Sequence, residues 1–493
     1  MFLISTCNRT TLAFGAALLL TASAAHAGYI VNTNFAGPSL SVIGPLNGGN
    51  FGPSDMGGAA GPTRVVQFIN GGFTIYDRTG NVTAATITDK AFWNNAGIST
   101  ATTNVGVSDT RIIYDTDSQR WFAAEINVSN TDNKILLAVS NSSDPGAGFK
   151  AVEFVANTGS HHFADQPTLG LDKNGVYLGT SNFLTASTGY AGTVSLFSIP
   201  KADLIGATPS LARLTRFEDQ ASATRGFEPD PVVNLNGTGG HILAIDDVSF
   251  GRVDRTNISG ASGAGATLSA TQIINILHDS APASGRQPDG TQQIDTADDR
   301  INGTIYEANG FIYAAHNVGE INGPGATTRS LIDWMIIDAA TGSVTAEGLI
   351  GDPNFDFYYG SIAANVNGDF VIGYNRSGTA STGAAGNLSS YADVCHFNGT
   401  TVTCETPLLL SQGAVNNYHL FTGAGERWGD YSAASIDPND PNSFWVFTGV
   451  VKGAANWGTQ VSQISAAPEP STCALLLLGF GGLGLVRARK NRL

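Results

Sequence analysis

Charge is scarce in this chain. Only 13% of its 493 residues are Asp, Glu, Lys or Arg, and 25 basic residues face 40 acidic ones, for a net charge of −15. So small a charged fraction excludes a coiled coil and argues against a charged disordered chain, while 42% hydrophobic residues suffice for a large core. The shortage of bases argues against nucleic-acid binding, which relies on basic surface to displace phosphate counterions. Helical periodicity is nearly missing: the longest helix-like piece lies near Pro200 to Ile205, a turn or two. There is no Walker loop, no Rossmann fingerprint after a strand, no Gly-x-Ser-x-Gly elbow and no His-Glu-x-x-His. The common nucleotide, hydrolase and zinc-protease chemistries therefore have no support.

What is present begins at the two ends. Arg9, the apolar stretch Leu12 to Leu20 and the small-x-small site Ala25-His26-Ala27 form a secretory signal, so the mature chain is expected to begin at Gly28. Near the other end stand Pro468, Glu469 and Pro470, then an apolar run from Ala474 to Val486, then Arg487, Arg489, Lys490 and Arg492. An apolar run ending in bases is a stop-transfer pattern with its positive end inside. The run falls short of the ~20 residues of a comfortable spanning helix, which suits a transient inner-membrane anchor.

Pro-Glu-Pro, apolar helix and basic cluster in this order closely resemble the PEP-CTERM sorting signal, over about the last 26 residues. The resemblance implies recognition by an exosortase in the inner membrane of a Gram-negative bacterium, removal of the tail and delivery to the outside. Such bacteria usually make exopolysaccharide. Without residues 1–27 and 466–493 the body keeps 20 bases and 39 acids, a net charge of −19.

Cysteine is scarce too. Of the four, Cys7 lies in the signal and Cys473 in the tail, which leaves Cys395 and Cys404. Between them Asn398-Gly399 is a hairpin-turn pair among β-branched residues, and we read a hairpin closed by one disulfide. A Cys/His metal site using His396 has too few ligands nearby.

From residue 28 to 467, short β-rich runs alternate with Gly, Asn, Asp and Ser clusters. A polar group, a short strand, a turn and a second apolar strand recur seven times. The copies begin near Arg64, Asp109, Asp165, Glu228, Asp299, Tyr359 and Arg427. Residues 63–465 divided by seven give about 58 per unit, room for four short strands. The expected fold is all-β, a β-propeller of seven blades, with a six-bladed, sialidase-like propeller as the alternative and a pair of β-sandwiches behind both. Residues 28–62, rich in Gly and Pro, would supply a closing strand.

The body resembles a family of secreted bacterial propeller proteins, mostly uncharacterised. The resemblance rests on Val65-Val66-Gln67-Phe68-Ile69-Asn70, Tyr114-Asp115 with Arg120-Trp121-Phe122, Ala138-Val139-Ser140 with Ser143-Asp144-Pro145, and Arg427-Trp428-Gly429-Asp430-Tyr431-Ser432. It implies the fold and export, and brings no catalytic residue.

Repeat register predicts that Asp109, Arg111, Asp165, Glu228, Asp230, Asp299, Arg300, Tyr359, Arg427 and Asp430 gather at one mouth of the channel. Paired carboxylates there would serve acid/base work on a glycan, and arginines would fork onto a substrate carboxylate. Equally, Asp and Arg at strand starts cap turns and pair with each other. Sialidases use a similar arginine cluster, but their Asp-box is absent here. His161-His162 and His316 are further candidates for the mouth, a surface loop being the plainer reading of the pair. Asp295-Thr296-Ala297-Asp298-Asp299 and Asp437-Pro438-Asn439-Asp440 offer hard oxygens of the kind Ca2+ takes, without EF-hand order. Two readings stay open: a non-catalytic propeller that binds glycan or a matrix protein, and a secreted glycoside hydrolase or polysaccharide lyase.

Overall fold

A four-stranded sheet with apolar side chains on both faces must be covered twice, and stacking such sheets around an axis covers every face. The computed structural model, which describes residues 28–301, 303–320, 328–421 and 425–467, adopts this solution. The expected signal, the Pro-Glu-Pro and the tail lie outside the described residues. Among the described residues no helix is long and apolar enough to cross a membrane.

The unit Tyr29–Ala466 holds seven antiparallel sheets. Blade one contains Gly57–Ala60, Arg64–Ile69 and Gly72–Asp77. Blade two contains Val107–Asp115, Arg120–Asn127, Lys134–Ser140 and Phe149–Val155. Blade three contains Phe163–Leu171, Gly175–Thr185, Thr188–Pro200 and Thr215–Ala221. Blade four contains Phe227–Pro231, His241–Ile245 and Arg252–Ser259, with Thr267–Leu268 and Gln272–Asn275 sharing its outer edge. Blade five contains Tyr306–Ala308, Phe311–Gly319, Ser330–Asp338 and Val344–Ile350. Blade six contains Phe355–Ala364, Asp369–Gly378 and Ser389–Phe397, edged by Val402–Cys404 and Leu408–Ser411. Blade seven contains Ala433–Asp437, Asp440–Gly453 and Asn456–Ala466. Inner strands of successive blades touch, blade four reaching blade five through Val233, just past its strand, which bridges Tyr306, and the circle closes between Ala433–Asp437 and Gly57–Ala60. The fold is a seven-bladed β-propeller.

The first strand of the described residues, Tyr29–Ser39, is the outermost of blade seven and pairs antiparallel with Asn456–Ala466, Phe35 opposite Val461. Ladder hydrogen bonds between the two ends of the unit thus hold the ring shut. Middle strands are buried on both faces, as in Phe370, Val371 and Ile372 of blade six, so apolar residues run on without alternation.

Two expectations shift. Arg64–Ile69 and Phe73–Tyr76, read as the first two strands of a unit, are the second and third strands of blade one. Its inner strand is Gly57–Ala60. A Cβ on Gly57 would meet the Phe68 carbonyl at 2.3 Å, and one on Gly58 the Phe447 ring at 2.3 Å. Only glycine fits there, and a glycine-rich run does not read as a strand. The helix near Pro200 is the single turn Lys201–Leu204, whereas Leu40–Asn47 and Asp89–Asn95 are longer. Pro45 and Gly44 hid the first of these. The second carries a start signal, Thr88, whose Oγ1 accepts from Ala91 N at 3.0 Å.

Cys395 and Cys404 face each other in register at the rim of blade six and form a disulfide, with Cα atoms 4.0 Å apart. His396 Nδ1 lies 2.8 Å from Asp369 Oδ1 across the neighbouring strand.

Candidate functional site

Four inner strands share one local device. In blades two, three, four and six, three residues of the inner strand span two of its neighbour: Ser108 to Arg111, Asp165 to Thr168, Phe227 to Asp230 and Tyr358 to Ser361. Each bulge holds a residue with positive φ: Asp109 at 68°, Gln166 at 46°, Glu228 at 50° and Tyr359 at 57°. Asp55, just before the inner strand of blade one, has φ 42°, and Ala297, ahead of blade five, has φ 57°. A bulge bends a strand end and re-aims its side chains. Repeated around the ring, it turns polar residues toward the axis at the end where the inner strands begin.

Two long connections add to this end. Residues 276–305 and 412–432 interlock through a parallel bridge between Ile294 and Glu426. Tyr418 N donates to Gln287 Oε1 at 2.6 Å, and Gln287 Nε2 returns a bond to the Tyr418 carbonyl at 3.1 Å. The first connection delivers Asp295, Asp298 and Arg300. The second delivers Arg427 and Asp430.

The resulting cluster is almost wholly paired. Arg300 is clamped by Asp298, its Nε 2.5 Å from Oδ1 and its Nη2 2.6 Å from Oδ2. Its Nη1 donates to Glu228 Oε1 at 3.0 Å and to Gln166 Oε1. Its guanidinium also sits 5.0 Å over the Phe227 ring. Arg427 donates to Asp430 Oδ2 at 2.7 Å and to Asp295 Oδ2 at 3.3 Å. Asp430 also accepts from Gln166 Nε2 at 3.2 Å, and its own N–H donates to Asp55 Oδ1 at 2.7 Å. Asn70 joins blades one and two by donating to Asp55 Oδ2 at 2.7 Å while accepting from Asp109 N at 2.8 Å. Arg111 lies against Tyr431 and donates to the Pro167 carbonyl at 3.3 Å. Tyr359 Oη donates to the Asp295 carbonyl at 2.8 Å.

Eight carboxyl groups (Asp55, Asp109, Asp165, Glu228, Asp230, Asp295, Asp298, Asp430) share this end with three guanidinium groups. Burial and the crowding of like charge favour the protonated form of five of these carboxyls. Burial, then the neighbouring carboxylates, push Asp55 and Asp165 well above the usual carboxylate range. Asp109 is raised as well, and Asp165 shares a carboxyl–carboxyl hydrogen bond with it. Burial lifts Glu228 to about 7 against the pull of Arg300, and Asp230 to about 8 against that of Arg111. Asp298 shifts the other way: burial is outweighed by Arg300, which holds it below the ordinary value.

A pocket lined by Gly57, Arg111, Leu169, Asp230, Thr304 and Tyr431, among others, holds about 30 Å³, room for one water. What faces solvent is the rim: Arg427 at 41% exposed, Asp298 at 39% and Asp295 at 36%.

Nine of the ten residues chosen from the repeat lie in this cluster. Asp299 does not: it lines a groove with Phe227, Asp246, Asp247 and Phe250 between blades four and five, next to Asp279. The chain bends at Asp299, where Asp298 Oδ1 turns back to accept from Arg300 N at 3.1 Å, and the two side chains part. Asp55, Asn70, Gln166, Asp295 and Asp298 join the cluster without having been singled out for it. Asp55 sits in the Gly/Pro-rich lead, where no repeat marks it. The histidines lie elsewhere. His162 Nδ1 is 3.3 Å from Asp219 on the outer strand of blade three, and His316 is buried within blade five.

The two Asp-rich runs have their oxygens engaged. Asp437 accepts from Arg78, from Trp445 Nε1 at 3.0 Å, from Gln463 Nε2 at 2.8 Å and from Asn439 N at 2.9 Å. Asp440 accepts from Asn442 N at 3.0 Å and Ser443 Oγ at 2.7 Å. Asp295 and Asp298 serve Arg427 and Arg300. These carboxylates cap turns and hold cations of the protein itself.

Residues 466–490 match the PEP-CTERM protein-sorting motif, so the chain is an exported propeller whose tail is a substrate of exosortase-type machinery. No curated protein matches the chain. Among solved structures, a protein of unknown function from Dyadobacter fermentans DSM 18053 is 12% identical over 73% of this chain and 95% of its own, with TM-score 0.38. The α-L-arabinanase of Penicillium chrysogenum, complexed with arabinobiose, is 12% identical over 89% and 99%, with TM-score 0.40. The α-L-arabinofuranosidase of Fusarium graminearum, also with arabinobiose, is 10% identical over 89% and 98%, with TM-score 0.41. At these identities and scores the likenesses say nothing about chemistry.

Proposed function

We propose that this exported propeller works without catalysis, at the surface or in the exopolysaccharide matrix of a Gram-negative cell, where its channel mouth holds a glycan or a protein partner. One observation carries the reading: the charges at the mouth are spent on one another. Arg300 and Arg427 are each held by two carboxylates, and the pocket beside Arg111, Asp230 and Tyr431 fits about one water. Pockets that enclose small ligands run to ~300–1,000 Å³. A sugar ring therefore meets the rim of Arg427, Asp295 and Asp298 and stops there. The body's net charge of −19 favours a neutral or basic partner over an acidic polymer.

A second reading has its own support. Glu228 and Asp230, lifted to about 7 and about 8, are carboxylic acids near neutral pH, as a general acid must be. In a glycan-active enzyme they would protonate a leaving oxygen once the Arg300 clamp opened.

A glycan array probed with the purified protein, with Ca2+ and with chelator, separates the two when binding and product release are read together. Binding without product, weakened by Arg427→Ala, supports the adhesin. Product that disappears in a folded Glu228→Gln or Asp230→Asn variant overturns it. Failure of every glycan to bind leaves the protein partner, sought next by cross-linking on the cell surface.

A further inference from the structure

Where the loop leaving blade four meets blade five, His278, Asp333 and Glu347 turn one ligand atom each toward a common point, all within 4.8 Å of one another. His278 Nδ1 lies 3.2 Å from Asp333 Oδ1 and 3.3 Å from Glu347 Oε1. An imidazole N–H can serve one acceptor well, yet this nitrogen faces two carboxylate oxygens at equal range. The spacing has another meaning. Four ligands at the ~2.0–2.1 Å of Zn–N and Zn–O bonds stand about 3.3 Å apart along the edges of a tetrahedron.

A second observation comes from behind the group. His316 stands opposite Asp333 in the strand register, and both are fully buried. His316 Nδ1 is 2.8 Å from the Asp299 carbonyl, an acceptor only, so Nδ1 carries the hydrogen. His316 Nε2 faces Asp333 Oδ2 at 3.4 Å, so the buried imidazole and carboxylate form a pair. Held by the carbonyl on one side, His316 braces Asp333 from behind and keeps its other oxygen turned toward His278. Glu347 Oε1 is likewise fixed, accepting from Leu277 N at 2.5 Å and His278 N at 3.0 Å.

We propose that His278, Asp333 and Glu347 bind a divalent transition-metal ion of the zinc class, with His316 behind Asp333. Mixed imidazole and carboxylate donors favour such an ion over Ca2+ or Mg2+, which prefer oxygen alone. Ligands from the third and outer strands of blade five and from the loop after blade four make the ion a staple across the seam between these blades. His278, 26% exposed, leaves the fourth position open toward water.

The test uses untagged full-length protein and Zn2+ itself, titrated against a chromophoric chelator. Co2+ serves as the spectroscopic probe of geometry. The expected result is one equivalent of Zn2+ per chain, a visible Co2+ spectrum of tetrahedral intensity, and a melting temperature that falls on chelation. His278→Ala and Glu347→Gln should each weaken Zn2+ by about tenfold or more and abolish the chelator effect on melting. His162→Ala, at a histidine–carboxylate contact elsewhere on the surface, should bind as the parent does. A parent protein that takes up neither Zn2+ nor Co2+, or a folded His278→Ala variant that binds as tightly as the parent, overturns the proposal. The trio is then an imidazolium between two carboxylates.

Discussion

The guanidinium of Arg111 lies 3.5 Å from the centre of the Tyr431 ring, whose hydroxyl donates to the carbonyl of Thr110 at 2.8 Å. Arg111 belongs to blade two, and Tyr431 leads into blade seven. The pair joins two blades that are not neighbours, across blade one. Arg111→Ala should cost about 1–2 kcal/mol in chemical denaturation, the range of a largely desolvated cation–π contact, and Tyr431→Leu should cost no less because the hydroxyl bond goes as well. Loss of the charge should also raise Asp230 further, which an NMR titration of its carboxyl carbon would show.

The Arg300 clamp carries a larger expectation. Arg300 is 14% exposed, and Glu228 beneath it is 2% exposed. Arg300→Met leaves that carboxyl without its cation, a change that costs about 3–5 kcal/mol where a buried pair is broken from one side. The double variant Arg300→Met/Glu228→Gln should recover much of the loss. A denaturation cycle that found the two changes additive would show that they do not interact.

Asp230 gives the propeller an unusual pH response. Its ordinary value is 3.8, and burial raises it to about 8 in the fold. Between those values the folded protein keeps a proton that the unfolded chain has lost, so stability from this group is complete below about pH 4 and is gone by about pH 8. Glu228 acts in the same direction up to about 7. Asp230→Asn should therefore leave stability unchanged at pH 4 and raise it by on the order of 1–3 kcal/mol at pH 8. Denaturant midpoints at pH 4, 6 and 8 for parent and variant check this. Equal gains at all three would mean that Asp230 is not the group.

The disulfide closes a short loop, Cys395 and Cys404 being 9 residues apart in sequence. A loop of this length corresponds to about 2–3 kcal/mol of lost chain freedom in the unfolded state. Cys404→Ser should lower the melting temperature by a few degrees, and reductant should then have no further effect on the variant while lowering the parent to match.

Much of the architecture was legible along the chain. Alternating turns and short apolar strands marked seven units, because each blade repeats one buried-on-both-faces sheet and its Asn-Gly turns stay local. The copies near Asp109, Asp165, Glu228 and Tyr359 open their inner strands, and Asp109, Arg111, Glu228, Asp230, Arg300, Arg427 and Asp430 do converge. The unit near Arg64 was displaced by one strand, since Gly57 and Gly58 are selected by crowding from Phe68 on the next strand of blade one and from Phe447 of blade seven. The bulges were invisible: Asp109, Gln166, Glu228 and Tyr359 take positive φ without the glycine that would announce it.

Export and repeat are properties of local order, and the sequence by itself determined them: a Pro-Glu-Pro before an apolar run and bases, and a strand–turn–strand unit recurring to the end of the body. Whether those polar residues would stand free or paired depended on contacts between residues far apart in the chain, 375 positions for Asp430 N to Asp55 Oδ1 and 72 for Arg300 to Glu228. The same holds for the convergence of His278 with Asp333 and Glu347, and for the parting of Asp298 from Asp299. Only the closed ring decided these, because a charge's partner, and with it its protonation and its availability to a ligand, is set by neighbours in space and by burial.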